Sequence, residues 1–149
     1  MNKNVPENGL YTEYYKNGQK SIETNYKDGK KDGKQTFWNK DGQKGIEANW
    51  KDSKKDGKWT HWYKNGQKNS ELDWKDGIRN GKWTTWHKNG QKEQEGNWKD
   101  DKWDGKWTFW KKNGELRAEN IYKDHKSCLL YTSDAADDLL CVDLGGRRI

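Results

Sequence analysis

Cysteine, proline and aliphatic side chains are all scarce in this chain, and each scarcity closes off a familiar way of holding a fold together. Both cysteines, Cys128 and Cys141, fall in the last stretch, so the body of the chain has no disulfide and cysteine usage says nothing about compartment. The one proline, Pro6, sits in a polar lead-in, Met1 to Glu7. No apolar run is long enough to span a membrane or to form a signal-peptide core, which makes the cytoplasm the default expectation. Ile, Leu and Val are too few to build a thick core. With 36% charged and 28% hydrophobic residues, the pooled composition even points toward disorder. The aromatic residues argue the other way. The chain has 11 Trp and 7 Tyr, and each large ring can bury on the order of 150–250 Å².

Those rings recur on a strict period. Glycines stand at Gly9, Gly33, Gly57, Gly81 and Gly105, and a second set at Gly18, Gly42, Gly66, Gly90 and Gly114, each series spaced by 24 residues. A period of this length marks a repeat array, not a globule with a single core. In the stretch Gly57 to Asn80, a short run of Thr, His and aromatic residues, Lys58 to Tyr63, and a second run, Lys68 to Trp74, flank Asn65-Gly66, the dipeptide that best tolerates positive φ at both central positions of a two-residue turn. The link Lys75 to Gly81 is also rich in turn formers. Each unit therefore reads as one β-hairpin. The expected fold is all-β: five 24-residue antiparallel hairpins forming an elongated, twisted single-layer sheet. Single hairpins are marginal, so the units must stack on one another.

Within the units the rings form columns. The first strand carries Trp38, Trp62, Trp86 and Trp110, and a second column Trp59, Trp83 and Trp107 in which Gln35 is the break. These two columns are three residues apart, so a period-2 strand sends them to opposite faces. The second strand carries Tyr26, Trp50, Trp74, Trp98 and Tyr122. Together the first-strand columns are the candidate binding or stacking ladder. Most of the rings are expected to be structural, since burial has nowhere else to come from, while one face remains open as a binding platform.

A carboxylate column, Glu23, Glu47, Glu71, Glu95 and Glu119, lies opposite Thr12, Thr36, Thr60, Thr84 and Thr108 if the Asn-Gly loop has two residues. Cross-strand Thr–Glu hydrogen bonding accounts for it. Catalysis needs a convergent constellation, whereas repetition spreads one group along a line. Asp28/Asp32 and Asp52/Asp56 flank glycine or serine links but lack the alternating ligands of a calcium loop. His61, His87 and His125 are too scattered for a metal site. No catalytic residue, cofactor site or metal site is called, and the chain is read as a non-enzyme.

The recurring pattern Gly-Lys-Trp-Thr-x-Trp-x-Lys-Asn-Gly-Gln-Lys, with its Glu column and closing Trp-Lys-Asp-Gly, resembles the MORN-type repeat in its bacterial variant, the kind found in YwqK-type antitoxins. The resemblance runs from Gly9 to about Lys126. It implies a scaffold that binds proteins or, in eukaryotic members, membranes. Trp is denser here than the Tyr and Phe usual in such repeats, which keeps a carbohydrate-binding reading open.

Cys128 to Ile149 has no Trp, Lys or Asn-Gly and resembles a translated sequencing-library adapter. The expected division is a flexible lead-in at 1–8, an array at 9–127 (units 9–32, 33–56, 57–80, 81–104 and 105–127) and a non-native tail at 128–149. The tail contains Arg147 and Arg148 against Asp134, Asp137, Asp138 and Asp143. Setting it aside takes 30 basic and 24 acidic residues to 28 and 20, a net charge of +8. The leading functional expectation is a protein-interaction scaffold, antitoxin-like, with a protein partner. The alternatives are a carbohydrate or cell-surface ligand on exposed Trp, or an anionic membrane. Nucleic acid is disfavoured, because acids are interleaved among the lysines.

Overall fold

The computed structural model describes residues 5–123 and 126–128. Over them the chain is an open, twisted, elongated all-antiparallel sheet. Its first two hairpins are β1 (Gly9–Tyr14) with β2 (Lys20–Lys27), and β3 (Lys30–Trp38) with β4 (Lys44–Lys51). A short β5 (Lys54–Lys55) leads into β6 (Gly57–Trp62), which pairs with β7 (Lys68–Lys75). Next come β8 (Ile78–Trp86) with β9 (Lys92–Lys99), and β10 (Lys102–Trp110) with β11 (Leu116–Lys123); β12 (Lys126–Cys128) borders β11. Strands lie side by side in chain order, with β5 paired to β4, so the array is one continuous meander. The adapter-like tail beyond Cys128 lies outside the described residues, as do residues 1–4 of the lead-in.

The loop inside each hairpin differs from the expected two-residue turn. Gly66 has φ 82°, but Asn65 is not in the left-handed region. The Gly66 N–H donates to Tyr63 O at 3.0 Å and the Tyr63 N–H to Gln67 O at 2.8 Å. This is a three-residue loop ending in a left-handed glycine. A three-residue loop alone would shift the register by one. The strand corrects this at once: Trp62 pairs with Lys68 but His61 with Ser70, leaving Asn69 as a bulge. The two displacements cancel, and Thr60 still faces Glu71.

Asparagine is therefore used for its side chain, not for its tolerance of positive φ. Asn65 Oδ1 accepts from the Gln67 N–H (3.2 Å) while Nδ2 donates to Lys88 O in the next hairpin (2.8 Å). Asn17 and Asn89 make the same pair of bonds. The two-residue turns with positive φ at both positions are instead the links between hairpins, such as Asp76-Gly77 at 50° and 92°. The aspartates near the links serve this turn: Asp56 Oδ2 accepts from the Asp76 N–H at 3.3 Å.

Burial follows two lines across the sheet, Thr36, Thr60 and Thr84 on the glutamate face and a line of larger side chains on the other. Gln35 pairs with Ala48, Trp59 with Leu72, Leu72 with Trp83, and Trp83 with Gly96, so large and small groups alternate from strand to strand. Ala48 and Trp107 are both 0% exposed, although the sheet has a single layer.

Candidate functional site

Trp59, Trp83 and Trp107 share a face with the second-strand rings. Trp50 and Trp59 centroids lie 5.5 Å apart, Trp59 and Trp74 5.9 Å, and Trp98 and Trp107 5.9 Å. Across this aromatic face runs a column of cations that sequence reasoning missed, although its signal is plain: Lys31, Lys55 and Arg79 recur at the repeat spacing. Lys31 Nζ stands 4.6 Å from the Trp50 ring, and Lys55 Nζ stands 4.3 Å from Trp59 and 4.0 Å from Trp74. Arg79 Cζ lies 3.8 Å from Trp98, and its Nε donates to Asp101 Oδ1 at 2.8 Å. That guanidinium, with the Arg79 backbone N–H, holds the Asp101 carboxyl below its usual pKa. Position 103 breaks the column. Trp103 stacks on Trp107 at 4.5 Å and meets Tyr122 edge-on at 4.8 Å, and this ring cluster fills the space that a cation would take.

Between the third and fourth hairpins the aromatic face opens into a groove of about 690 Å³ lined by Leu72, Trp74, Trp83, Trp98 and, toward one end, His61. Burial, and then Lys55, push the His61 pKa down. Two polar atoms of residues lining the groove have no partner among the described residues, the indole Nε1 of Trp74 and of Trp98, both buried. Other indoles on this face are satisfied. Trp50 Nε1 donates to Gln35 Oε1 at 2.9 Å, Trp59 Nε1 to Asn49 O at 3.3 Å and Trp107 Nε1 to Asn97 O at 3.2 Å.

The other face carries the glutamate column together with the second Trp column. Trp86 lines a cleft there with Glu71, Lys82, Thr84 and Glu95. Lys20, Lys68 and Lys92 reach to 5.5–5.7 Å from Trp38, Trp86 and Trp110, and Trp62 occupies the equivalent place in β6. All four of these rings are half-buried. The expected Thr–Glu bonds are present but long, 3.4–3.5 Å. The closer partners are lysines: Lys44 and Lys34 at 2.9 and 3.1 Å from Glu47, and Lys92 and Lys82 at 2.7 and 3.1 Å from Glu95. At Glu47 the Lys44 contact comes first in lowering the carboxyl pKa. At Glu95 partial burial pushes upward, yet Lys92 and Lys82 outweigh it and the pKa also ends low. The face is thus a ladder of neutralised carboxylates. Among the described residues no group of three or more His, Cys, Asp or Glu could hold a metal ion.

The MORN repeat variant model matches this chain at residues 7–28, 55–76, 79–100 and 103–124, more than half of its length. The chain belongs to that family. The MORN frames start 24 residues apart except for one missing frame between 28 and 55. That interval contains Gln35 in place of Trp, yet it folds into the same hairpin, β3–β4. As a MORN repeat array the chain is a non-catalytic scaffold for interactions with proteins or surfaces. No curated protein matches it. Among the described residues no helix is long and apolar enough to cross a membrane.

Proposed function

We propose that this MORN array is a protein-interaction scaffold whose partner seats in the groove between the third and fourth hairpins. An antitoxin-like role, neutralising a toxic protein by holding it, is the form we favour, with the cytoplasm as the compartment in which to seek it. The observation that carries the reading is the groove itself: Leu72, Trp74, Trp83 and Trp98 gather apolar area beside Lys55, Arg79 and Asp101 near the middle of the array. Large rings in a central, desolvated patch are the side chains that dominate protein association.

The carbohydrate alternative draws less support. Sugars stack on flat, open ring faces, whereas the rings here lie edge-on or tilted to one another, Trp50 to Trp59 and Trp59 to Trp74, and the last two line a groove. An anionic membrane calls for unpaired cations gathered on one surface, whereas many lysines of the glutamate face are held by carboxylates. The test compares Trp83→Ala, in the groove, with Trp86→Ala, on the opposite face, as baits for the product of a neighbouring gene. Loss of the partner with the first and retention with the second is the expected result. Binding to purified polysaccharide that free sugar competes, with no protein recovered, would transfer the function to the carbohydrate reading.

A further inference from the structure

The two unpartnered indole donors arise from a single sequence change. In the second hairpin Gln35 stands on the first strand and accepts from Trp50 Nε1. The third and fourth hairpins have Trp59 and Trp83 at that place, and an indole offers no acceptor. Trp74 and Trp98 are left with buried N–H groups that have no hydrogen-bond partner among the described residues. Buried donors without partners are uncommon, and a pair of them in one groove calls for a ligand that brings acceptors.

Their spacing restricts the ligand. Trp74 on β7 and Trp98 on β9 occupy equivalent repeat positions with β8 between them, so their backbones lie two strand spacings apart and like side-chain atoms repeat at about that interval, roughly 9–10 Å. A polyproline II helix has three residues per turn and presents carbonyls on one side about every 9 Å, none of them used internally. A β-like segment presents same-side carbonyls about every 7 Å and fits one donor at a time. Grooves walled by aromatic rings also suit proline rings sterically.

We propose that the groove takes a proline-rich segment in the polyproline II conformation, with carbonyl oxygens three residues apart accepting from Trp74 and Trp98 Nε1. Lys55 and Arg79 lie over these two rings as movable covers; both are only partly buried and swing toward solvent as the segment enters. The proposal rests on the groove reading above and names the partner's chemistry.

Fluorescein-labelled decaproline, titrated with the full chain and read by polarisation, is the probe, with a glycine–serine peptide of equal length as control. Trp74→Phe and Trp98→Phe keep the ring and remove the donor. Each is expected to weaken decaproline binding about three- to tenfold, the value of one hydrogen bond. Neither should lower the melting temperature, because the donor removed has no partner in the free protein. Trp86→Phe should leave both readings unchanged. Absence of decaproline binding, affinity indifferent to both groove substitutions, or displacement of the probe by an oligosaccharide would each overturn the proposal. A protein partner that Trp83→Ala abolishes but decaproline does not compete would refute the polyproline inference and leave the groove standing. Indifference of that partner to Trp83→Ala would remove both.

Discussion

Gly96→Ala tests the packing on which the aromatic face depends. Gly96 is not in the left-handed region, so alanine is conformationally allowed there. In an empty site the change would stabilise β9 by about 0.5–1 kcal/mol. The site is not empty. A β-carbon would collide with the Trp107 indole at Cδ2, Cε2 and Cγ. That ring is 0% exposed, stacked on Trp103 at 4.5 Å and bonded through Nε1 to Asn97 O at 3.2 Å. Overpacking of this kind costs about 1–3 kcal/mol, and breaking the indole bond adds about 1 kcal/mol. The net loss is roughly 1–3 kcal/mol after the backbone gain is subtracted. Because a repeat array opens by nearest-neighbour units, the loss should concentrate in β9–β11. Urea unfolding followed by Trp fluorescence, with amide exchange to locate it, is the assay. Adding Gly96→Ala to a Trp107→Ala background should cost almost nothing more, since the collision is gone. A Gly96→Ala protein as stable as the parent, or more stable, would refute the seating of Trp107 over Gly96.

Three further outcomes follow from the geometry. Trp107→Ala should cost about 3–5 kcal/mol, while Trp62→Ala, half-buried on the charged face, should cost about half as much; equal effects in urea titrations would mean that the faces do not differ in burial. Asp41 stands where Asn17, Asn65 and Asn89 donate to the next loop, and a carboxylate cannot donate, so Asp41→Asn should add a bond to Lys64 O and about 0.5–1 kcal/mol, read as a higher urea midpoint. The carboxyls of Glu47, Glu95, Asp56, Asp101 and Glu115 have folded pKa values below their usual ones, so their stabilisation is complete above the unfolded carboxylate range near pH 4 and is lost as pH falls through the folded values. His61 is lowered too, and its stabilisation is complete above about pH 6.5 and fades as pH falls through its folded value; thermal melts should therefore decline monotonically on acidification, and a melting temperature that rises between pH 7 and pH 3 would contradict these environments.

The repeat and its hairpins were legible because period and turn chemistry are local properties. The loop type was not, and the reason lies in Asn65. Asn-Gly carries the signal of a two-residue turn, but the side-chain bond from Asn65 to the neighbouring hairpin gives the same dipeptide a different use. The Thr60–Glu71 register emerged correctly from an incorrect loop only because the Asn69 bulge compensated for it. The opposite-face placement of Trp59 and Trp62 followed from strand alternation. That Lys55 and Arg79 would lie on ring faces did not follow, because the link residues appear in sequence as solvated turn charges.

What concentrates an interaction site on one part of a repetitive sheet is the departure of single residues from the repeat. Gln35 satisfies Trp50 in the second hairpin, so that unit has no indole in need of an acceptor. Trp103 fills the cation position after the fourth, so the rings around it close on one another. Among the described residues, rings lying under a cation and buried indole donors without a partner coincide between these two substitutions, at Trp74 and Trp98. A uniform array would offer a partner every register equally. On the reading proposed above, two departures from the repeat give this one a preferred place.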